Sequence, residues 1–262
     1  MGYLTAMKRR STPTLFLALC ILFSAGLSAQ QFRALLITET GGWHHPSIMS
    51  GIPALQALAK RHQFQLDRQQ DAIPISDRSL ENYDVIIMLS TTGDIFTEEE
   101  QAAFERFIQA GKGYVGIHAA SDTEYEWPWY TQLVGRMFHI HPQNQTAMLE
   151  VLDGNFPGLE RWPERMLWTD EWYEFGEEKV EGLNYILAVD EDSYEPGANW
   201  GAKKGEGMGD FHPLAWYHEF DGGRAFYTAL GHIEETFQDD FFLQHIYGGI
   251  YWAATGRGMS TK

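Results

Sequence analysis

The sequence predicts an α/β fold, a three-layer sandwich around a mainly parallel β-sheet with an antiparallel extension. Three observations carry this. Phe32–Glu39, Asp84–Ser90 and Tyr114–Ala120 are apolar without alternation, as strands buried on both faces are. Stretches of helical period separate them, and strand–helix–strand alternation builds parallel sheets. From Thr146 onward, short strand-like runs succeed one another and end in a hairpin signal.

Ser47 is the expected cap of a first helix reaching about His62, with Ile48, Ile52, Leu55, Leu58 and Ala59 on one face. Phe64–Leu66 reads as a short strand. Thr97 and Glu100 form a capping box before a helix that stops at Gly111. In the second half the expected strands are Thr146–Leu152, Tyr185–Val189, Pro213–Phe220 and Arg224–Leu230, the last two joined by Asp221-Gly222-Gly223. A closing helix over about Asp239–Ala254 carries Phe242, Ile246, Ile250 and Trp252.

Hydrophobic residues make up 44% of the 262 and charged residues 21%, which suits a chain with a large core. Lys8, Arg9 and Arg10 precede an apolar run, Leu15–Phe23, and then small residues up to Ala29. This is the pattern of a signal peptide over 1–29, and it implies export to the periplasm or beyond. The apolar run is shorter than the ~20 residues a membrane span needs. Residues 30–258 are the expected single domain and 259–262 a flexible tail. Cys20, inside the leader, is the only cysteine, so the mature chain has no disulfide, thiolate ligand or cysteine nucleophile. The leader holds three basic residues and no acid, so its removal takes the net charge from −17 to −20. Such a surface opposes nucleic acid and anionic membranes as partners, and it fits a neutral, zwitterionic or cationic ligand, or a metal ion.

Gly111-x-Gly113-x-x-Gly116 matches a dinucleotide pattern, but these glycines lead into a strand instead of following one, so no nucleotide cofactor is expected. The informative residues are histidines at strand ends. Trp43, His44 and His45 follow the first strand, His118 lies near the end of the third apolar run with Asp122 just beyond, and His232 follows the last strand. In open parallel sheets the ligand crevice lies at the carboxyl ends of the strands. His139 and His141 form an H-x-H pair that points, with His232, to one divalent metal such as zinc. Asp170, Glu171, Trp172 and Tyr173 form a polar cluster amid aromatics. Between Trp168 and Trp172, the Glu171 carboxyl is expected to be desolvated and its pKa raised into the range of a general base. Indole rings stack on the apolar faces of sugars, which gives Trp43 and Trp172 a substrate-binding reading. The loops around Trp127 and Trp200 read as a lid.

The succession TETGGWHHPS, GKGYVGIHAASD, GRMFHIHP, TDEWYEF and GGRAFYTALGH resembles the ThuA-like proteins, named for trehalose utilisation, over nearly the whole mature chain. The resemblance implies a fold similar to class I glutamine amidotransferases, hence flavodoxin-like, in which the elbow that carries their nucleophilic cysteine bears His118 here. It also implies disaccharide breakdown through keto-sugars, a divalent metal in the pocket, and functional roles for His44, His118, Asp122, His139, Glu171, Tyr173 and His232, with His45, His141 and His212 as equal alternatives to their histidine neighbours. The catalytic candidates are His118, Glu171 and Asp122; His44, Trp43, Tyr173, Asp170 and Trp172 are the substrate-binding candidates. The expected reaction is elimination, isomerisation or hydrolysis of a keto-glycoside. The rival readings are a non-catalytic carbohydrate-binding protein and a metal-dependent amide or ester hydrolase.

Overall fold

The computed structural model describes residues 1–2, 30–69 and 74–259, so residues 3–29 of the expected leader and the last three of the expected tail lie outside the described residues. Nine strands form the central sheet: β1 Arg33–Ile37, β2 Gln65–Arg68, β3 Val85–Leu89, β4 Gly113–Ile117, β5 Gln145–Val151, β6 Arg165–Asp170, β7 Asn184–Asp190, β8 His212–Phe220 and β9 Gly223–Thr228. Their order across the sheet is β2-β1-β3-β4-β9-β8-β7-β5-β6. The first five are parallel, in register at Leu35↔Ile86, Ile87↔Val115 and Phe226↔Val115. The pairings from β9 to β6 are antiparallel throughout. Four reversals return β6 to the direction of β9, so its carboxyl end joins those of the parallel strands.

The helices are α1 Ile48–His62, α2 Asp77–Leu80, α3 Glu98–Gln109, α4 Pro128–Val134 and α5 Asp240–Thr255. Side chains alternate faces along a strand, and β4 shows which helix covers which face. At Gly113 a Cβ would collide with the Ala253 carbonyl of α5, whereas the next residue, Tyr114, packs on Phe104 of α3 and Tyr130 of α4. Helices therefore cover both faces, and β3 and β4 are buried along their whole length. A Cβ at Gly116 would meet the Tyr114 hydroxyl and the Tyr227 ring. Two of the three glycines of the dinucleotide-like pattern are thus explained by close packing.

The expected elements form, with three local differences. The capping box of α3 closes in both directions, Thr97 Oγ1 accepting from Glu100 N and Glu100 Oε2 accepting from Thr97 N. Asp221 (φ +47°) and Gly222 (φ +89°) make the tight β8–β9 turn with both central residues left-handed. Ser47, however, does not cap α1. Its backbone is already helical, the Ile48 N–H is taken by the His45 carbonyl, and its hydroxyl is buried without a partner among the described residues. The expected strand over Tyr114–Ala120 ends at Ile117, where the chain turns into a short 3₁₀ segment, His118–Ser121. Strand β6 was not anticipated, because its alternation is short and masked by aromatics. Among the described residues, no helix is long and apolar enough to cross a membrane.

Candidate functional site

The carboxyl ends of β1, β4, β6 and β9 converge on a cavity of about 350 Å³ lined by Trp43, His45, Asp122, Phe138, His141, Glu171, Tyr173, Trp200 and His232. His118 is fully buried beneath it, at the tip of β4, with a left-handed backbone (φ +53°). That conformation is uncommon outside glycine, and here the turn aims the imidazole across the ends of the sheet. His118 Nδ1 lies 2.7 Å from the Ala229 carbonyl and must donate to it, which leaves the Nε2 lone pair directed at the cluster. The Tyr173 hydroxyl is 3.0 Å from that Nε2 and His232 Nδ1 is 3.2 Å from it.

Glu171 follows the last residue of β6 and is almost fully buried. Its Oε2 lies 3.1 Å from His232 Nδ1 and 3.5 Å from His118 Nε2, and its Oε1 lies 3.2 Å from His141 Nδ1. Despite that proximity, Oε2 makes no hydrogen bond among the described residues, and neither does the buried His45 Nδ1. His45 stands edge-on to His118 and His232, with ring centroids 4.8 and 5.5 Å away. One potential ligand atom from each of His45, His118, Glu171 and His232 lies within 4.8 Å of the others. Three imidazoles and a carboxylate are a donor set suited to zinc and similar divalent ions, and the two orphaned buried atoms are the feature such an ion would resolve.

The electrostatics follow from crowding and burial. Burial drives the Glu171 carboxyl up, but the His118 and His232 imidazoles outweigh it and hold the group well below the usual carboxylate range. This corrects the expectation of a raised pKa: the flanking tryptophans are buried elsewhere, Trp172 donating to the Gln145 carbonyl and Trp168 packing on Trp162. Burial pushes His45 down to about 3 and lowers His141, so both are neutral at ordinary pH. Burial works against charge on His232 too, but Glu171 raises it.

The other expected residues divide. Asp122, His141, Tyr173 and Trp43 line the cavity, but His141, expected as a metal ligand, stands outside the group formed by His45, His118, Glu171 and His232. Asp170 lies beneath it, fully buried, accepting from the backbone N–H groups of Glu171, Gly231 and His232 at 3.0 Å each. It therefore fixes two cluster residues instead of meeting substrate. His139 points away, its Nε2 donating to the Lys204 carbonyl at 3.2 Å, because the strand holding the H-x-H pair ends at Ile140 and the two imidazoles part. His44 is exposed beside Thr40 and borders a different depression; its place is taken by His45. Trp200 belongs to the rim, edge-on to His141 at 4.6 Å, while Trp127 packs in the core against Trp129 and Tyr130. Sequence reasoning missed Tyr125, which follows Asp122 by three residues and has no recognisable signal.

Fold and pocket together define a flavodoxin-like α/β protein with a buried histidine, His118, at the turn after β4. The family described as ThuA, trehalose utilisation, matches residues 33–253, and the chain belongs to it. That membership supports a role in carbohydrate metabolism. A ThuA-like protein from Bacteroides uniformis is 22% identical, with TM-score 0.71 over 86% of this chain and 92% of its own. Another, from Parabacteroides merdae, is 20% identical, with TM-score 0.65 over 88% and 92%. A cytoplasmic protein from Salmonella typhimurium shares the fold at 10% identity, with TM-score 0.58 over 85% and 99%. No curated protein matches the chain.

Proposed function

We propose that this protein is an exported enzyme that removes the proton beside the carbonyl of a keto-sugar or keto-glycoside, with a divalent cation held by His45, His118, Glu171 and His232. The convergence of those four residues at the strand ends carries the reading. When bound, such a cation supplies the positive charge that stabilises the oxygen turned negative by loss of the adjacent proton.

Glu171 is then committed to holding the cation and is too weak a base to take the proton. His141 is better placed. Its Nδ1 lies 2.7 Å from the Pro142 carbonyl and 3.2 Å from Glu171 Oε1, so the proton sits there and Nε2 carries the lone pair. The Ala229 carbonyl, accepting from His118 Nδ1, keeps that imidazole oriented. Trp43 (71% exposed) and Trp200 (49% exposed) offer indole faces at the rim to the apolar face of a sugar ring. Export rests on the leader pattern alone.

The test is deuterium exchange. Incubated with a keto-glucoside in heavy water, the protein is expected to exchange the C–H beside the carbonyl, or to release the aglycone, and to do neither with the unoxidised glucoside. Binding without exchange would replace this reading with a carbohydrate-binding protein. Turnover of simple esters or amides without exchange would replace it with a hydrolase.

A further inference from the structure

Beside the histidine cluster, Asp122 and Tyr125 form a pair whose protons can be counted. The Tyr125 hydroxyl is 2.5 Å from Asp122 Oδ1 and 2.9 Å from the carbonyl of Phe138. A phenol has one hydrogen, and both an ionised carboxylate and a carbonyl only accept. If Asp122 were ionised, one of these two close contacts would set lone pair against lone pair. Both are satisfied when Asp122 Oδ1–H donates to Tyr125 and Tyr125 O–H donates to Phe138.

We propose that Asp122 is a neutral carboxylic acid held ready by Tyr125, and that it gives its proton to the departing glycosidic oxygen. The proposal rests on the keto-glycoside reading above. Asp122 lines the same cavity as Glu171 and His141, so a sugar seated there has a base and an acid in the walls around it. Other groups around Asp122 act in both directions. Burial raises its pKa, while Lys203 on the hairpin that bears Trp200 and His118 lower it, as Tyr125 would if it donated to Asp122; with its hydrogen given to Phe138, Tyr125 instead accepts from the neutral acid and favours it, and the balance is upward. Tyr173 and Tyr227 also sense its charge. A neutral imidazole, His141, and a neutral carboxyl, Asp122, thus divide base and acid duties at one site.

The step balances without a redox partner. The base takes the proton beside the carbonyl, and the C–H pair becomes the enolate. That pair then forms the C=C bond, and the C–O bond to the aglycone breaks with its electrons on oxygen. Asp122 supplies the proton that makes this oxygen an alcohol, and it regains one from solvent as the base releases its own. Tyr125 is a positioning residue.

Two measurements test this. In protein carrying carboxyl-labelled aspartate, the resonance missing from Asp122→Asn belongs to Asp122. It is expected to be that of a neutral acid at neutral pH, and in Tyr125→Phe to move toward the ionised form. An ionised Asp122 in the unaltered protein would overturn the proposal. Against keto-glucosides of graded leaving groups, Asp122→Asn should slow release of alkyl alcohols by roughly 10²-fold or more, the scale of general-acid catalysis, relative to release of nitrophenol. Equal slowing of both would also overturn it. Deuterium exchange by the unaltered protein keeps the two ideas apart. Its absence removes the keto-glycoside reading, whereas exchange with an ionised Asp122 removes only the acid.

Discussion

The parallel half of the sheet (β2, β1, β3, β4, β9) and the antiparallel half (β8, β7, β5, β6) reach the pocket by different routes. The parallel half delivers His45, His118 and His232 from the carboxyl ends of β1, β4 and β9, each at the place where open parallel sheets put their ligands. The antiparallel half delivers Glu171 and Tyr173 from the end of an edge strand, and His141 from the segment leading into β5. The three imidazoles grouped around Glu171 thus come from the buried half, and the carboxylate from the margin. The two are tied by Asp170, whose carboxylate belongs to β6 and whose donors Gly231 and His232 follow β9. A site assembled this way depends on the seam between the halves as much as on either half.

Cutting the seam should have the largest effect. Asp170→Ala strands three backbone N–H groups and is expected to cost about 3 kcal/mol or more in urea unfolding, since each orphaned donor carries a penalty of roughly 1–3 kcal/mol. It should also weaken metal retention. A loss under about 1 kcal/mol would mean that the halves are joined by the sheet alone.

A second effect separates the buried half from the margin through pH. His245, in α5, is fully buried and burial pushes it down to about 3 from 6.5. Between those values the unfolded chain binds a proton that the folded one does not, so stability falls as pH falls through that window. The slope from one such histidine is about 1.4 kcal/mol per pH unit. His245→Asn should flatten the stability–pH curve there relative to the unaltered protein. An unchanged slope would show that His245 takes up its proton while folded.

The smallest effect is local. Thr97→Ala opens the capping box of α3 in the parallel half and should cost about 1 kcal/mol without altering metal content.

Legibility in the sequence follows the same division. The parallel strands were readable because burial on both faces leaves unbroken apolar runs such as VIIML, and the direction of β9 is what brought His232 into place. His118 was readable because it lies near the end of such a run. Which member of the His44–His45 pair turns inward was not, since it depends on how α1 begins, and the turn through Pro46 and Ser47 departs from the expected cap. The pairing of His139 with His141 failed for a similar reason: the period-2 rule holds only while the strand lasts, and this one stops at Ile140. In the antiparallel margin, Glu171 was found by its company of polar residues. The sign of its pKa shift was missed, because that is set by imidazoles distant in sequence and not by neighbouring indoles.

The central claim is that a cation is held by residues from both halves. The most direct measurement is elemental analysis of the protein after zinc loading and desalting, with His118→Ala and His139→Ala alongside. Stoichiometric zinc in the unaltered protein and in His139→Ala, lost in His118→Ala, is the predicted result. Failure of the unaltered protein to retain zinc or any added divalent ion, or loss in His139→Ala with retention in His118→Ala, would contradict it.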